Sequence, residues 1–232
     1  MHSILGIPMI LLVTDTSSKH GSVALARAES DSCDVEVIKS VPLAGGTFSA
    51  QLVPQIAALL EKHRFSKADI GALIVISGPG SFTGLRVGLA AIKALAEILA
   101  KPIVPVSLLE VIAVASGFPG KVLAALDAGR GEIYAGEYEN TDAARLSREQ
   151  LLTKDEFLRA AYGLLVASPD AILQQWARDA AIRVLPIPMP SPEMIARVGW
   201  TKLKAGRTVS PEQLEANYIR RSDAEIFAKS SS

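Results

Sequence analysis

The residues best suited to chemistry stand in a glycine-rich loop, SGPGSFTGLR, at positions 77–86. An apolar run that predicts a buried strand precedes the loop, and a pattern that predicts a long helix follows it. Backbone N–H groups at such a junction can bind an anion. The loop lacks the Gly-Lys-Ser/Thr of a P-loop and the spacing of a dinucleotide fingerprint, and Pro79 removes one N–H. The pattern therefore predicts either a helix start capped by Ser81 or Thr83 or an incomplete anion site.

Two acids could complete such a site, because each ends an apolar run that predicts a strand. Asp15 is followed by Thr16, and Asp127 is followed by a glycine-rich turn at 128–131. In a phosphotransferase these carboxylates would hold a magnesium-bound nucleotide, yet both are also explained as turn formers. The remnant nucleotide or anion site would comprise eight residues: Asp15, Thr16, Gly78, Gly80, Ser81, Thr83, Arg86 and Asp127.

Other chemistries have little support in the sequence. The single cysteine, Cys33, excludes a disulfide framework and fits a reducing compartment. The three histidines show no metal-binding spacing, and no GxSxG motif is present, which argues against a zinc site, a peptidase and a hydrolase. The 24 basic residues balance 24 acidic ones, so we expect any contact with RNA to run through a partner.

The start of the chain is apolar but is not typical of a signal peptide, because it lacks a basic segment and a small-residue cleavage site. Residues 1–8 are interpreted as an N-terminal extension. No later apolar run is long enough to cross a bilayer, so we expect a cytoplasmic protein with no membrane association.

The order of predicted elements indicates two related α/β lobes. Strand-strand-strand-helix-strand-helix comes first, and a similar but degraded series follows. The first lobe is expected to span residues 9–101, with about 191–232 folding back onto it. A second, smaller lobe is expected at 102–190.

The predicted helix at 83–100 is apolar on almost every side, with only a thin polar stripe. Such a helix is buried in its own lobe or against another chain. Small residues at 84, 88 and 91 favour the close approach of a second helix. Partner contacts are therefore expected from six residues of this helix: Gly84, Leu85, Gly88, Ala91, Ile92 and Leu95.

A segment near the end, Tyr218-Ile219-Arg220-Arg221, is basic and begins with an aromatic residue. Contact with RNA or a partner would explain it. Packing of Tyr218 beside solvated arginines explains it as well.

Four segments together resemble the TsaB (YeaZ) family: MILLVTDTSS with GSVALA, SGPGSFTGLRVGLAAIKALA, VLAALDAGRGEIYAGEY and YIRRSDAEI. The resemblance covers the chain from Met9 onward, and GPGSFTGLRVG is specific to this group. It implies an α/β fold of the actin-like ATPase (ribonuclease H-like) superfold, with two related lobes whose mixed central sheets are flanked by helices.

The resemblance also implies a function. Such a protein is a non-catalytic scaffold that binds and stabilises TsaD, the subunit that adds threonylcarbamoyl to a tRNA adenosine next to the anticodon. It forms homodimers alone and a heterodimer with TsaD through the first two long helices. The resemblance thus adds three residues of the predicted helix at 47–63 to the expected partner contacts: Leu52, Ile56 and Leu59. The ATPase TsaE joins the complex, and tRNA is reached only through that complex. No cofactor is expected in the isolated chain, whereas ATP or ADP with magnesium and the catalytic metal are expected in the partner subunits. The alternative is an actin-fold ATPase or phosphotransferase that uses Asp15 and Asp127.

Overall fold

The apolar runs of the sequence form two five-stranded sheets, one in each of two compact units. The computed structural model describes residues 8–29, 32, 34–44, 46–141 and 144–219. The first unit comprises Met1–Val106 and Ser191–Ala216, and the second comprises Ser107–Pro190 and the residues from Asn217 onward. Cys33, Arg220, Arg221 and most of the predicted N-terminal extension lie outside the described residues.

The elements of the described residues follow in chain order. They are β1 (Met9–Asp15), β2 (His20–Ala28), β3 (Val35–Ala44), α1 (Phe48–Lys62), a short 3-10 helix (Lys67–Asp69), β4 (Ile70–Gly78), α2 (Phe82–Leu99), β5 (Ile103–Ser107), α3 (Leu108–Ala115), β6 (Gly120–Gly129), β7 (Glu132–Asn140), β8 (Ala144–Thr153), α4 (Lys154–Ala160), β9 (Leu165–Ser168), α5 (Ala171–Asp179), β10 (Val184–Pro186) and α6 (Pro192–Lys204).

The sheet of the first unit has the order β3-β2-β1-β4-β5. Strands β3, β2 and β1 pair antiparallel, and β4 pairs parallel to β1. Because side chains alternate along a strand, β4 places apolar side chains on both faces of the sheet. Leu73 and Val75 join the core that α1 and α2 cover, whereas Ile74 contacts α6 at Gly199. The central strands are therefore buried on both sides.

The sheet of the second unit repeats this arrangement in the order β8-β7-β6-β9-β10. Strands β8, β7 and β6 pair antiparallel, while β9 pairs parallel to both β6 and β10. Strand β8 was not predicted, because it is an edge strand whose side chains are largely exposed, charged residues such as Arg145 among them. The second series is thus complete, and the predicted pair of related lobes with mixed sheets is confirmed.

The boundaries between the units differ from the predicted ones at two places. Strand β5 completes the first sheet, so the second unit begins at Ser107 instead of residue 102. The chain also returns to the second unit at Asn217, although the whole tail was expected with the first lobe. None of the helices in the described part of the chain is long and apolar enough to cross a membrane.

Candidate functional site

The candidate site of the first unit begins with the turn between β1 and β2. The Asp15 side chain accepts hydrogen bonds from the Ser17 N–H at 2.8 Å and from the Ser17 hydroxyl at 2.6 Å. The residue is only 8% exposed. Burial raises the pKa of Asp15 above its usual value, and the two bonds from Ser17 act in the opposite direction. The carboxylate is therefore engaged within its own turn, as the turn-forming interpretation predicted.

The loop between β4 and α2 is hydrogen-bonded to this turn. The Ser81 N–H donates to the Ser17 carbonyl oxygen at 2.7 Å. The Ser81 hydroxyl accepts from the Gly84 N–H at 3.3 Å and so caps α2. The predicted cap at Ser81 is confirmed, and Thr83 lies exposed in the first turn of the helix. One N–H group of the loop is thus used within the chain.

The glycines of the loop and helix allow α2 to approach the β1–β2 turn closely. A Cβ atom would lie 2.2 Å from the Ser17 oxygen at Gly80, and 2.1 Å from the Thr16 oxygen at Gly84. At Gly88 it would lie 2.1 Å from Thr16 Oγ1. Real side chains do not fit at such distances. These glycines are therefore explained by packing inside the first unit, and the expected approach of a second helix to Gly84 and Gly88 stays a prediction.

Arg86 has a local explanation. Its guanidinium lies over the Phe82 ring, 3.8 Å from the ring centroid, where a cation is attracted by the π-electrons. The stacking offsets the unfavourable position of a cation in the first turn of a helix.

A cleft of about 640 Å³ opens beside the starts of α1 and α2. Its lining combines hydroxyls and one ammonium group with an apolar wall. The lining residues are Ser18, Lys19, Gly46, Phe48, Ser49, Ser81, Thr83, Gly84 and Val87. The predicted remnant site thus contributes Ser81 and Thr83 to the cleft, whereas Asp15, Thr16, Gly78, Gly80 and Arg86 do not line it. The polar groups here suit a small anion better than a cation.

Asp127 belongs to the second unit, whereas the other seven residues of the predicted site belong to the first. Its carboxylate accepts from the Gly129 N–H at 2.8 Å, and its own N–H donates to Asp170 Oδ2 at 2.8 Å. Burial raises the pKa of Asp170, the hydrogen bond from Asp127 lowers it, and the Asp127 charge raises it. In the described residues no three or more histidine, cysteine, aspartate or glutamate side chains form a group that could hold a metal.

Most of the predicted partner-contact residues are buried in the core of the first unit. These are Leu52, Ile56, Leu59, Gly84, Leu85, Gly88 and Ile92. Burial within the first unit accounts for their apolar character without a partner, and their assignment to an interface stays a prediction. Ala91 and Leu95 are half-buried.

The outward-facing residues of the same two helices were not among the predicted partner contacts. Ile98 of α2 is 77% exposed and Val53 of α1 is 51% exposed. Small apolar residues accompany them. We define the α1–α2 outer face by eight exposed residues: Ala50, Val53, Pro54, Ala57, Ala58, Ala90, Ala94 and Ile98. The sequence pattern does indicate this second apolar side. Each helix is apolar on two sides, and only the more strongly apolar side enters the core.

Comparison with known proteins identifies relatives over nearly the whole chain. Residues 42–220 match the model of a family described as TsaD: tRNA N6-adenosine threonylcarbamoyltransferase. The tRNA threonylcarbamoyladenosine biosynthesis protein TsaB of Escherichia coli is 27% identical over 93% of this chain and 96% of its own. TsaB of Haemophilus influenzae is 31% identical over 76% of this chain and 71% of its own. For TsaB of Bacillus subtilis, 34% identity extends over 56% of each chain.

Solved structures show the same architecture. YeaZ from Pseudomonas aeruginosa superimposes with a TM-score of 0.70 at 24% identity, covering 90% of this chain and 99% of that one. A second crystal structure, of a protein with similarity to peptidase YeaZ, gives a TM-score of 0.72 at 26% identity, covering 91% of this chain and 100% of the other.

The duplicated sheets thus define a mixed α/β protein of two units with the architecture of YeaZ, as expected. The wider actin-like superfold stays an expectation. The chain belongs to the TsaB (YeaZ) family, within the wider TsaD group that the family model describes. Its TsaB relatives are named for the biosynthesis of threonylcarbamoyladenosine in tRNA.

Proposed function

We propose that this protein is an accessory subunit of the complex that adds the threonylcarbamoyl group to the adenosine next to the anticodon of tRNA. It binds and stabilises a TsaD subunit and leaves the transfer to that subunit. The observation that carries the proposal is the α1–α2 outer face, an apolar surface made by two helices that pack against each other.

This face has the character of a helix-packing interface. Small or apolar side chains are exposed along both helices, with Arg86 and Glu97 beside them on α2, so another helix pair could approach closely. Covering exposed apolar groups such as Ile98 with a partner lowers the free energy of the complex. The TsaD family model matches residues 42–220, which include α1 and α2. A TsaD subunit built on the same plan would present an equivalent helix pair, and the two pairs could pack in a pseudo-twofold arrangement. A second copy of this chain would compete for the same face.

The β1–β2 turn favours an accessory role over the ATPase alternative. Asp15 accepts its hydrogen bonds from Ser17, and the loop N–H of Ser81 donates to the Ser17 carbonyl. An actin-fold ATPase would direct these groups at a phosphate and its metal, whereas here they form hydrogen bonds within the first unit. ATP or ADP with magnesium and the catalytic metal accordingly belong to the partner subunits, TsaE among them, and tRNA binds through the assembled complex.

The proposal is tested by measuring the affinity of this chain for TsaD from the same source. Ile98→Asp and Val53→Asp place a charge on the α1–α2 outer face and should weaken binding about tenfold or more. Ile172→Asp is the matched control, because Ile172 is also a half-exposed apolar residue on a helix, α5 of the second unit. All three variants should keep the wild-type Tm, since the substituted side chains are on the surface.

Reconstituted threonylcarbamoylation of tRNA by TsaD, TsaE and the enzyme that supplies the activated threonylcarbamoyl group gives the functional result. Activity should require this chain and fall with the two face variants in proportion to their loss of binding. Equal loss in the Ile172→Asp control would place the interface elsewhere. Magnesium-dependent ATP hydrolysis by the chain alone, abolished by Asp15→Asn, would establish the ATPase alternative instead.

A further inference from the structure

The last segment that the structure describes, residues 217–219, belongs to the second unit and meets strand β8 at Glu149. The Asn217 side-chain amide donates a hydrogen bond to Glu149 Oε2. A bond to an ionised acceptor is stronger than one between neutral groups. This contact comes one residue after the chain leaves the first unit at Ala216.

The other oxygen of Glu149 is held by the second unit itself. The Ser107 hydroxyl and the Tyr138 phenol both donate to Oε1. The Tyr138 side chain is fully buried. Burial and the negative charge of Glu149 raise the pKa of Tyr138, so its hydroxyl stays protonated and able to donate.

Gly136 of β7 provides the room for this arrangement. A Cβ atom there would lie 2.6 Å from the Tyr138 ring and 3.3 Å from Glu149 Cγ. The Glu149 stem and the Tyr138 ring thus pack over bare backbone. A carboxylate whose position is fixed in this way offers its second oxygen in one direction, toward Asn217.

We propose that Glu149 holds the segment at 217–219 against the second unit through its hydrogen bond from Asn217. The two oxygens have separate roles, with Oε1 bound to the body of the second unit and Oε2 bound to the segment. This hydrogen bond fixes the position of the chain directly before Tyr218, where the aromatic and basic segment noted in the sequence begins. All of these contacts lie within one chain, so the proposal holds whether or not the protein binds TsaD.

Exchanging the donor and the acceptor tests the bond. Asn217→Asp places a carboxylate against Glu149 Oε2, so the segment should be released. Adding Glu149→Gln should restore it, because the amide oxygen of the new glutamine can accept from Ser107 and Tyr138 while its NH₂ group donates to the new carboxylate at position 217. Hydrogen–deuterium exchange of the peptide that contains residues 214–219 measures the release. Exchange should become roughly tenfold faster in Asn217→Asp and return to the wild-type rate in the double variant.

Glu137→Gln is the matched control, because Glu137 lies on the neighbouring strand β7 and its carboxylate faces the exposed Arg148, with 3.6 Å between the charged atoms. Combined with Asn217→Asp it should leave the exchange fast. Peptides from β6 should exchange at the wild-type rate in every variant, which shows that the second unit remains folded. Unchanged exchange in Asn217→Asp, or fast exchange that Glu149→Gln does not slow, would show that other contacts hold the segment and would overturn the proposal.

Discussion

The two units differ in the surroundings of the aspartate in their first strand. Each sheet has an acid in its first strand, Asp15 at the end of β1 and Asp127 two residues before the end of β6. Each acid accepts a hydrogen bond from the backbone N–H two residues later. Each unit also links this region to the residues before a helix: the Ser17 carbonyl accepts from Ser81 in the first unit, and the Asp127 N–H donates to Asp170 in the second. Asp15 is buried, however, whereas Asp127 is exposed.

The glycines around the two turns have different causes. In the first unit Gly80, Gly84 and Gly88 leave no room for a Cβ atom, because α2 lies directly against the turn. In the second unit Gly129 and Gly131 have no neighbour within 4 Å of a Cβ position, but both have positive φ. The first set therefore reflects distance between backbones, and the second reflects the conformation of the turn. Similar glycine-rich sequences can thus encode a tightly packed junction or an open hairpin.

The largest effect is expected from Gly84→Ala. The added methyl would meet the Thr16 carbonyl oxygen, a backbone atom that cannot turn aside. Overpacking of this kind costs about 2–3 kcal/mol, more than alanine gains through helix propensity. Gly131→Ala, in the open turn, should cost only about 1 kcal/mol, because only the positive φ disfavours alanine. The free energies of unfolding in urea measure both values.

Ala90→Gly, on the exposed side of α2, controls for the effect of helix propensity. It should lower stability by roughly 0.5–1 kcal/mol. If Gly131→Ala proved as costly as Gly84→Ala, the two glycine sets would share one cause and the contrast between the units would be lost.

A smaller effect, and one that can be reversed, is expected from Gly88→Ala. Its methyl would meet Thr16 Oγ1, a buried hydroxyl without a hydrogen-bond partner among the described residues. Removing that hydroxyl by Thr16→Ala should restore much of the roughly 1–2 kcal/mol lost in Gly88→Ala. A double-mutant cycle of Tm values measures the coupling. Purely additive losses would mean that Thr16 and Gly88 do not contact each other.

Much of the fold could be predicted from the sequence, because buried strands and amphipathic helices have strong periodic patterns. Two strands were missed. Strand β10 has only three residues, and β8 lies at a sheet edge and carries Arg148 and Glu149 within it, so no apolar alternation marks it. The first lobe was ended too early because the predicted strand at β5 was assigned to the second lobe, and only its pairing with β4 places it in the first sheet.

The site was predicted less well than the fold. The cap at Ser81 depends on neighbouring residues and could be predicted. The role of Gly84 and Gly88 depends on Thr16, about seventy residues earlier in the chain, and only the folded structure brings these residues together. The outer side of α2 was left out of the predicted partner contacts because alanines such as Ala90 and Ala94 are weakly apolar beside the leucines of the core.

The smallest effect concerns the two acids. Because burial raises the pKa of Asp15, the folded chain binds a proton there more tightly than the unfolded chain. Ionisation of Asp15 therefore weakens the fold as the pH rises from the ordinary aspartate pKa of about 3.9 through the raised value. Asp15→Asn keeps an acceptor for Ser17 without the charge, so its Tm should exceed that of the wild type at neutral pH, and the difference should shrink toward pH 4. Asp127→Asn, at the exposed turn, should leave Tm nearly unchanged. A lower Tm for Asp15→Asn at neutral pH would instead show that the hydrogen bonds from Ser17 to the ionised carboxylate outweigh the cost of burying its charge.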